Sequence, residues 1–102
     1  MEKLKEIKDK ESENLTIMKK AVNIYGGSDQ IGMAYEEMGE LISALNKYSR
    51  GRISYMDVCT EIADVQIMMQ QLTYMFGEEK VKSEFQLKLD RLKSRLLKHG
   101  CW

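Results

Sequence analysis

The chain contains no proline in its 102 residues. Nothing therefore forces a kink or removes a backbone donor inside a helix. The breaks must come from glycine-centred stretches, and these are Gly26-Gly27, Ser49-Arg50-Gly51-Arg52, Gly77 and Gly100. Leu, Met, Glu and Lys, all good helix formers, dominate the pieces between them. No segment shows the apolar–polar alternation of a half-buried strand. The fold class expected is all-α: four helices in a single domain over residues 1–102, arranged as an up-and-down bundle.

Residues 1–13 are mostly charged, with Leu4 and Ile7 as apolar anchors. They read as a frayed leader or a solvated helical extension. From Asn14 onward Leu15, Met18, Val22 and Tyr25 recur at helical steps until the Gly26-Gly27 stop. Ser28 or Asp29 is placed to cap a second helix running to about Tyr48. Ser54, with Asp57 three residues on, has the spacing of a capping box and opens a third helix that runs to Met75 or Phe76. Glu78 and Glu79 favour the first turn of a fourth, which continues to about Lys98.

The formal net charge is zero, which supplies no global argument for binding a nucleic-acid polymer or an acidic membrane. No apolar run approaches the roughly 20 residues that cross a bilayer. Two cysteines, Cys59 and Cys101, do not make a disulfide framework. A cytoplasmic protein with reduced thiols is the expectation. The local charge is uneven. Residues 28–64 carry a net −4 and residues 80–99 a net +5. That distribution suits a site holding both a cation and an anion, and it equally suits two solvated helix faces of opposite sign.

The acids have a definite angular position. With Glu37 at zero on a wheel of about 100° per residue, Ala34, Met38, Leu41, Leu45 and Tyr48 fall between about 20° and 100°. Glu40 lies about 60° to the other side and Glu36 about 100°. On the third helix, with Glu61 at zero, Val58, Ile62, Val65, Met69, Leu72 and Phe76 fall between about 20° and 100°, and Asp64 about 60° to the other side. Each helix thus carries an acid pair at the lip of its apolar stripe. If the stripes pack together antiparallel, four carboxylates converge. Such a group resists ionising together, and a divalent cation with a preference for hard oxygen ligands relieves the repulsion. On the fourth helix Lys88, Arg91 and Arg95 flank the stripe of Val81, Phe85, Leu89, Leu92 and Leu96. Basic heads there suit phosphate oxygens, or simply solubilise the helix edge.

Together these residues resemble the MazG-like all-α nucleoside triphosphate pyrophosphohydrolases, especially the short single-domain type of phages and Gram-positive bacteria. The family motif EExxE, spacer, ExxD is matched by Glu36-Glu37-x-x-Glu40 and Glu61-x-x-Asp64, twenty residues apart. The segments MAYEEMGELISALNKYSRG and EIADVQIMMQQL are similar to its two acidic helices, and KLDRL to its phosphate-contacting segment. The likeness covers about residues 20–98. It implies Glu37, Glu40, Glu61 and Asp64 as ligands of Mg²⁺, with Mn²⁺ an alternative. Glu36 would support a second metal or orient the attacking water. Lys88 and Arg91 would hold the triphosphate, and Gln30 would face the nucleotide. Gln86 and Leu92 depart from an Asn and an Arg found in some members. The implied reaction converts a nucleoside triphosphate to monophosphate and pyrophosphate. Enzymes specialised for dUTP, dCTP or phosphoribosyl-ATP belong to the same superfamily.

A contrasting reading is a non-catalytic helical oligomer that binds metal or a partner protein. The single histidine, His99, argues against a Glu-x-x-His di-iron bundle and against a His-activated nucleophile. A core limited by chain length, with surplus apolar residues Ile31, Ile42 and Met68, leads to the expectation of a homodimer or homotetramer.

Overall fold

A computed structural model describes residues 1–101, and among these the regular structure is helical. The four helices are α1 (Glu2–Tyr25), α2 (Gly27–Ser49), α3 (Tyr55–Phe76) and α4 (Glu78–Lys98). The chain divides into two compact units. The first is Met1–Leu72, with α1, α2 and most of α3, and the second begins at Thr73.

The helix boundaries follow local chemistry. Residues 1–13 are helical from Glu2 rather than frayed. No glycine or proline occurs before Gly26, so extending the helix upstream of Asn14 meets no break. A single glycine separates α1 from α2. The Gly26 N–H donates to the Val22 carbonyl at 2.9 Å, closing α1, and its own carbonyl accepts from the Gln30 N–H at 3.1 Å, opening α2. This requires φ 85° and ψ 158°, a backbone region that is essentially glycine's alone. The cap expected from Ser28 or Asp29 is replaced: Gly26 is the N-cap residue, and α2 has no side-chain cap. The reason is that the turn is one residue long, so both residues already lie within the helix.

The α2–α3 loop is built as its residues suggest. The Arg52 N–H reaches back to the Lys47 carbonyl at 2.9 Å and the Gly51 N–H to Tyr48 at 2.9 Å, with Gly51 at φ 71°. This is a Schellman-type close of α2. Ser54 and Asp57 then form the capping box. The Ser54 N–H donates to Asp57 Oδ2 at 3.2 Å and the Asp57 N–H to Ser54 Oγ at 3.4 Å.

Within the first unit α2 and α3 run antiparallel, since Glu37 faces Glu61 and Asp64 while Lys47 shares a cavity with Asp57. α1 is tied to α2 by Gln30, whose Nε2 donates to the Ala21 carbonyl at 3.3 Å. The fully buried apolar residues are few: Val22, Ala34, Ala44 and Met68, joined by the amides Gln30 and Gln71. In the second unit α4 buries none of its residues. Among the described residues no helix is long and apolar enough to cross a membrane. Cys59 and Cys101 are both free and exposed.

A side chain at Gly26 meets nothing within 4 Å, so substitution there tests backbone strain without steric clash. Gly26→Ala is expected to lower unfolding stability by about 1–3 kcal/mol, measured by urea denaturation.

Candidate metal centre

The buried line of α2 is Gln30, Ala34, Ala44, with Glu37 half-buried between them. On α3 it is Met68 and Gln71, continued toward the N-terminus by half-buried Asp64 and Glu61. Steps of three and four keep each set on one helical face. Glu37, Glu61 and Asp64 are thus half-buried along these lines, while Glu36 and Glu40 beside them are exposed. The apolar stripes drawn from the helical wheels are turned inward in part: Ala34 is buried and Met38, Leu41, Val58, Val65 and Leu72 are half-buried. Leu45, Tyr48, Ile62, Met69 and Phe76, all assigned to those stripes, are exposed. Ala44 lies beside α3, sharing a cavity wall with Asp57 and Glu61. Met68, expected as surplus for a partner subunit, is buried within the chain, whereas Ile42 remains 69% exposed.

The two helices bring three of the predicted ligands together. One carboxylate oxygen from each of Glu37, Glu61 and Asp64 lies within 4.8 Å of the other two. Glu40, one turn beyond Glu37, is exposed but sits within hydrogen-bonding reach of Glu61 and acts on both Glu37 and Glu61 electrostatically. Glu36 is exposed, and it affects the cluster only through its charge on Glu37. Rigid helices supply all five acids, so the geometry is held by main-chain hydrogen bonds rather than by a loop.

Burial raises the pKa of Glu37 above its ordinary value, and the charges of Glu40, Asp64, Glu61 and Glu36 raise it further, in that order. Glu61 is raised first by burial, then by Glu40 and Asp64. Every one of these charged neighbours is an acid. Glu37 Oε2 and Glu61 Oε2 are also buried without a hydrogen-bond partner. Orphaned carboxylate oxygens of this kind are costly unless something positive or a proton meets them.

The donor set fits a hard divalent cation. All donors are carboxylate oxygens, as Mg²⁺ and Mn²⁺ prefer. Two ligands on one Mg²⁺ stand about 3–4 Å apart given metal–oxygen distances of about 2.1 Å. A cluster within 4.8 Å therefore closes onto an ion by small side-chain rotations.

Gln30 is 1% exposed and engaged with α1, so the structure places it as an internal strut rather than at an open nucleotide face. Lys88 and Arg91 lie on α4 in the second unit, both exposed. Two features of the first unit escaped the sequence reading. Gln71 is buried on the line of Asp64 and Met68, legible only as a continuation of the three-and-four spacing. The second is a cavity of about 250 Å³ opening beside the cluster, lined by Glu40, Ser43, Ala44, Lys47, Ile53, Asp57 and Glu61. Its one basic residue, Lys47, stands seven positions after Glu40, two turns along the same face.

No protein-family model, curated protein or solved structure matches the chain.

The raised carboxyls have a definite sign in solution. Free of metal, the folded chain holds protons on Glu37 and Glu61 at pH values where the unfolded chain has lost them. Their contribution to stability is fully present below the ordinary value of 4.5 and is lost as pH rises through the raised values. Glu61→Gln removes part of this loss. In chelator its melting temperature is expected to rise relative to the wild-type chain as pH goes from 4 toward 7. A difference that stays constant with pH would show that Glu61 titrates normally.

Proposed function

We propose that the protein is a divalent-cation-dependent nucleoside triphosphate pyrophosphohydrolase of the MazG-like type. The observation that carries this reading is the Glu37–Glu61–Asp64 cluster: three carboxylate oxygens within 4.8 Å, supplied by two helices, two of the carboxylates each with a buried orphan oxygen. Glu40 beside Glu61 completes the four-acid set that the EExxE and ExxD motifs imply. Mg²⁺, or Mn²⁺ in its place, would be held by Glu37, Glu40, Glu61 and Asp64 and would supply charge neutralisation for the triphosphate.

The reaction is attack of water on the α-phosphorus. An oxygen–phosphorus bond forms there, the bond to the bridging oxygen breaks, and pyrophosphate departs carrying that oxygen. Glu36, adjacent to the cluster and exposed, is suited to orient the water and accept its proton. Lys88 and Arg91 are the proposed α4 contacts to the phosphates, with the arginine able to make a bidentate contact. The chain has no GxxxxGK[ST] loop, the usual cradle for γ-phosphoryl transfer.

Hydrolysis of a nucleotide panel in ¹⁸O-labelled water tests the reading. The label is expected in the monophosphate and not in pyrophosphate, with activity dependent on Mg²⁺ and reduced by orders of magnitude in Glu61→Gln. Labelled orthophosphate with a nucleoside diphosphate would overturn the mechanism. A non-catalytic oligomer separates cleanly, because nucleotide and Mg²⁺ together would leave its melting temperature unchanged.

The proposed working form is a homodimer or homotetramer. Within the first unit Ile24, Tyr35, Ile42 and Tyr48 are exposed, and α4 buries nothing although Phe85, Leu89 and Leu92 recur along it. Apolar surface of this extent is what a symmetric partner covers. Light scattering at micromolar concentration is expected to give at least twice the 11.9 kDa chain mass.

A further inference from the structure

The cavity between the C-terminal half of α2 and the start of α3 has Glu40 and Glu61 at one end and Lys47 farther along α2. Lys47 is the one basic side chain among the described residues that line it. No acidic side chain forms an ion pair with it among the described residues, although Glu40, Asp57 and Glu61 share the same cavity. Asp57 is already committed, its Oδ2 accepting from the Ser54 N–H and hydroxyl, each at 3.2 Å. The charged neighbours that perturb Glu61 are all acids. Lys47 thus stands unpaired and exposed at an open cavity next to the cluster.

Its distance from the cluster suits a particular ligand. Lys47 lies about 10 Å along α2 from Glu40 at 1.5 Å per residue, and nearly on the same face. A lysine stem spans part of that gap, leaving room for a short anion chain that is anchored at the carboxylate end. A nucleoside triphosphate whose α-phosphate sits at the cluster has one such chain, its β- and γ-phosphates. Ser43, also on the cavity wall, adds a hydroxyl donor for the same oxygens.

We propose that this cavity is the binding site for the departing pyrophosphate, and that Lys47 is the residue that holds it. The proposal rests on the carboxylate cluster being a metal site, as argued above. It assigns a phosphate contact to the first unit itself, in addition to those proposed on α4. The ammonium would neutralise charge that grows on the β-phosphate as the bond to the α-phosphorus breaks, so its effect is greatest on the leaving group. A purely structural role is the alternative, since a cation in the last turn of α2 also complements the helix dipole. That role changes stability and leaves anion binding untouched.

Calorimetric titration of the full chain separates these. Mn²⁺ alone is titrated first, then pyrophosphate in the presence of saturating Mn²⁺, for wild type, Lys47→Gln, Lys47→Arg and Lys88→Gln. Lys47→Gln is expected to bind Mn²⁺ as the wild type does and pyrophosphate about tenfold or more weakly. Lys47→Arg keeps the charge and should retain pyrophosphate binding within a few-fold. Thermal melts of the same samples verify that each variant is folded, and Lys47 is exposed enough to be replaced without disturbing the seam. Unchanged pyrophosphate affinity in Lys47→Gln overturns the proposal, whether or not Lys88→Gln weakens it. Absence of Mn²⁺ binding to the wild type overturns the metal-centre reading on which it rests, which is a different and recognisable result.

Discussion

Carboxylates in a helix–helix seam impose the constraint on which the rest of this structure turns. Glu37, Glu61 and Asp64 occupy positions where a stable helical pair ordinarily places leucine or valine. Their mutual repulsion and partial burial oppose the packing that brings them together. The contact gains little apolar burial in return, since alanines 34 and 44 and a single methionine, Met68, are its fully buried apolar members. The raised carboxyls couple the stability of the fold to pH.

The polar residues of the seam divide by what they meet. Gln30 and Gln71 are almost wholly buried, yet both are neutral amides, and the Gln30 Nε2 has a carbonyl partner on α1. The Gln30 Oε1, however, is buried without a partner, as are Glu37 Oε2 and Glu61 Oε2. The carboxylates are left with orphan oxygens and with only other acids as charged neighbours. An uncompensated site of this kind, where the fold accepts a cost, is the usual mark of function rather than of scaffold. The adjoining cavity is lined by three acids, Glu40, Asp57 and Glu61, and by one base, Lys47.

Part of the apolar stripes of α2 and α3 is buried or half-buried and part is exposed. Leu45, Tyr48, Ile62 and Phe76 are left at the surface of the chain.

Much of the local structure was determined by the sequence alone. Four helices, glycine stops at Gly26, Gly51 and Gly77, and the Ser54–Asp57 capping box depend on residues within a turn of one another, where backbone propensity and short-range hydrogen bonds decide. The identities of the clustered acids were legible for the same reason: fixed helical spacing put each pair on one edge. The half-burial of Glu37, Glu61 and Asp64, the anchoring of Gln30 on α1 and the cavity around Lys47 were decided by tertiary structure. A helical wheel gives angles around one axis, and which angle faces a neighbour is set by side chains on both helices at once.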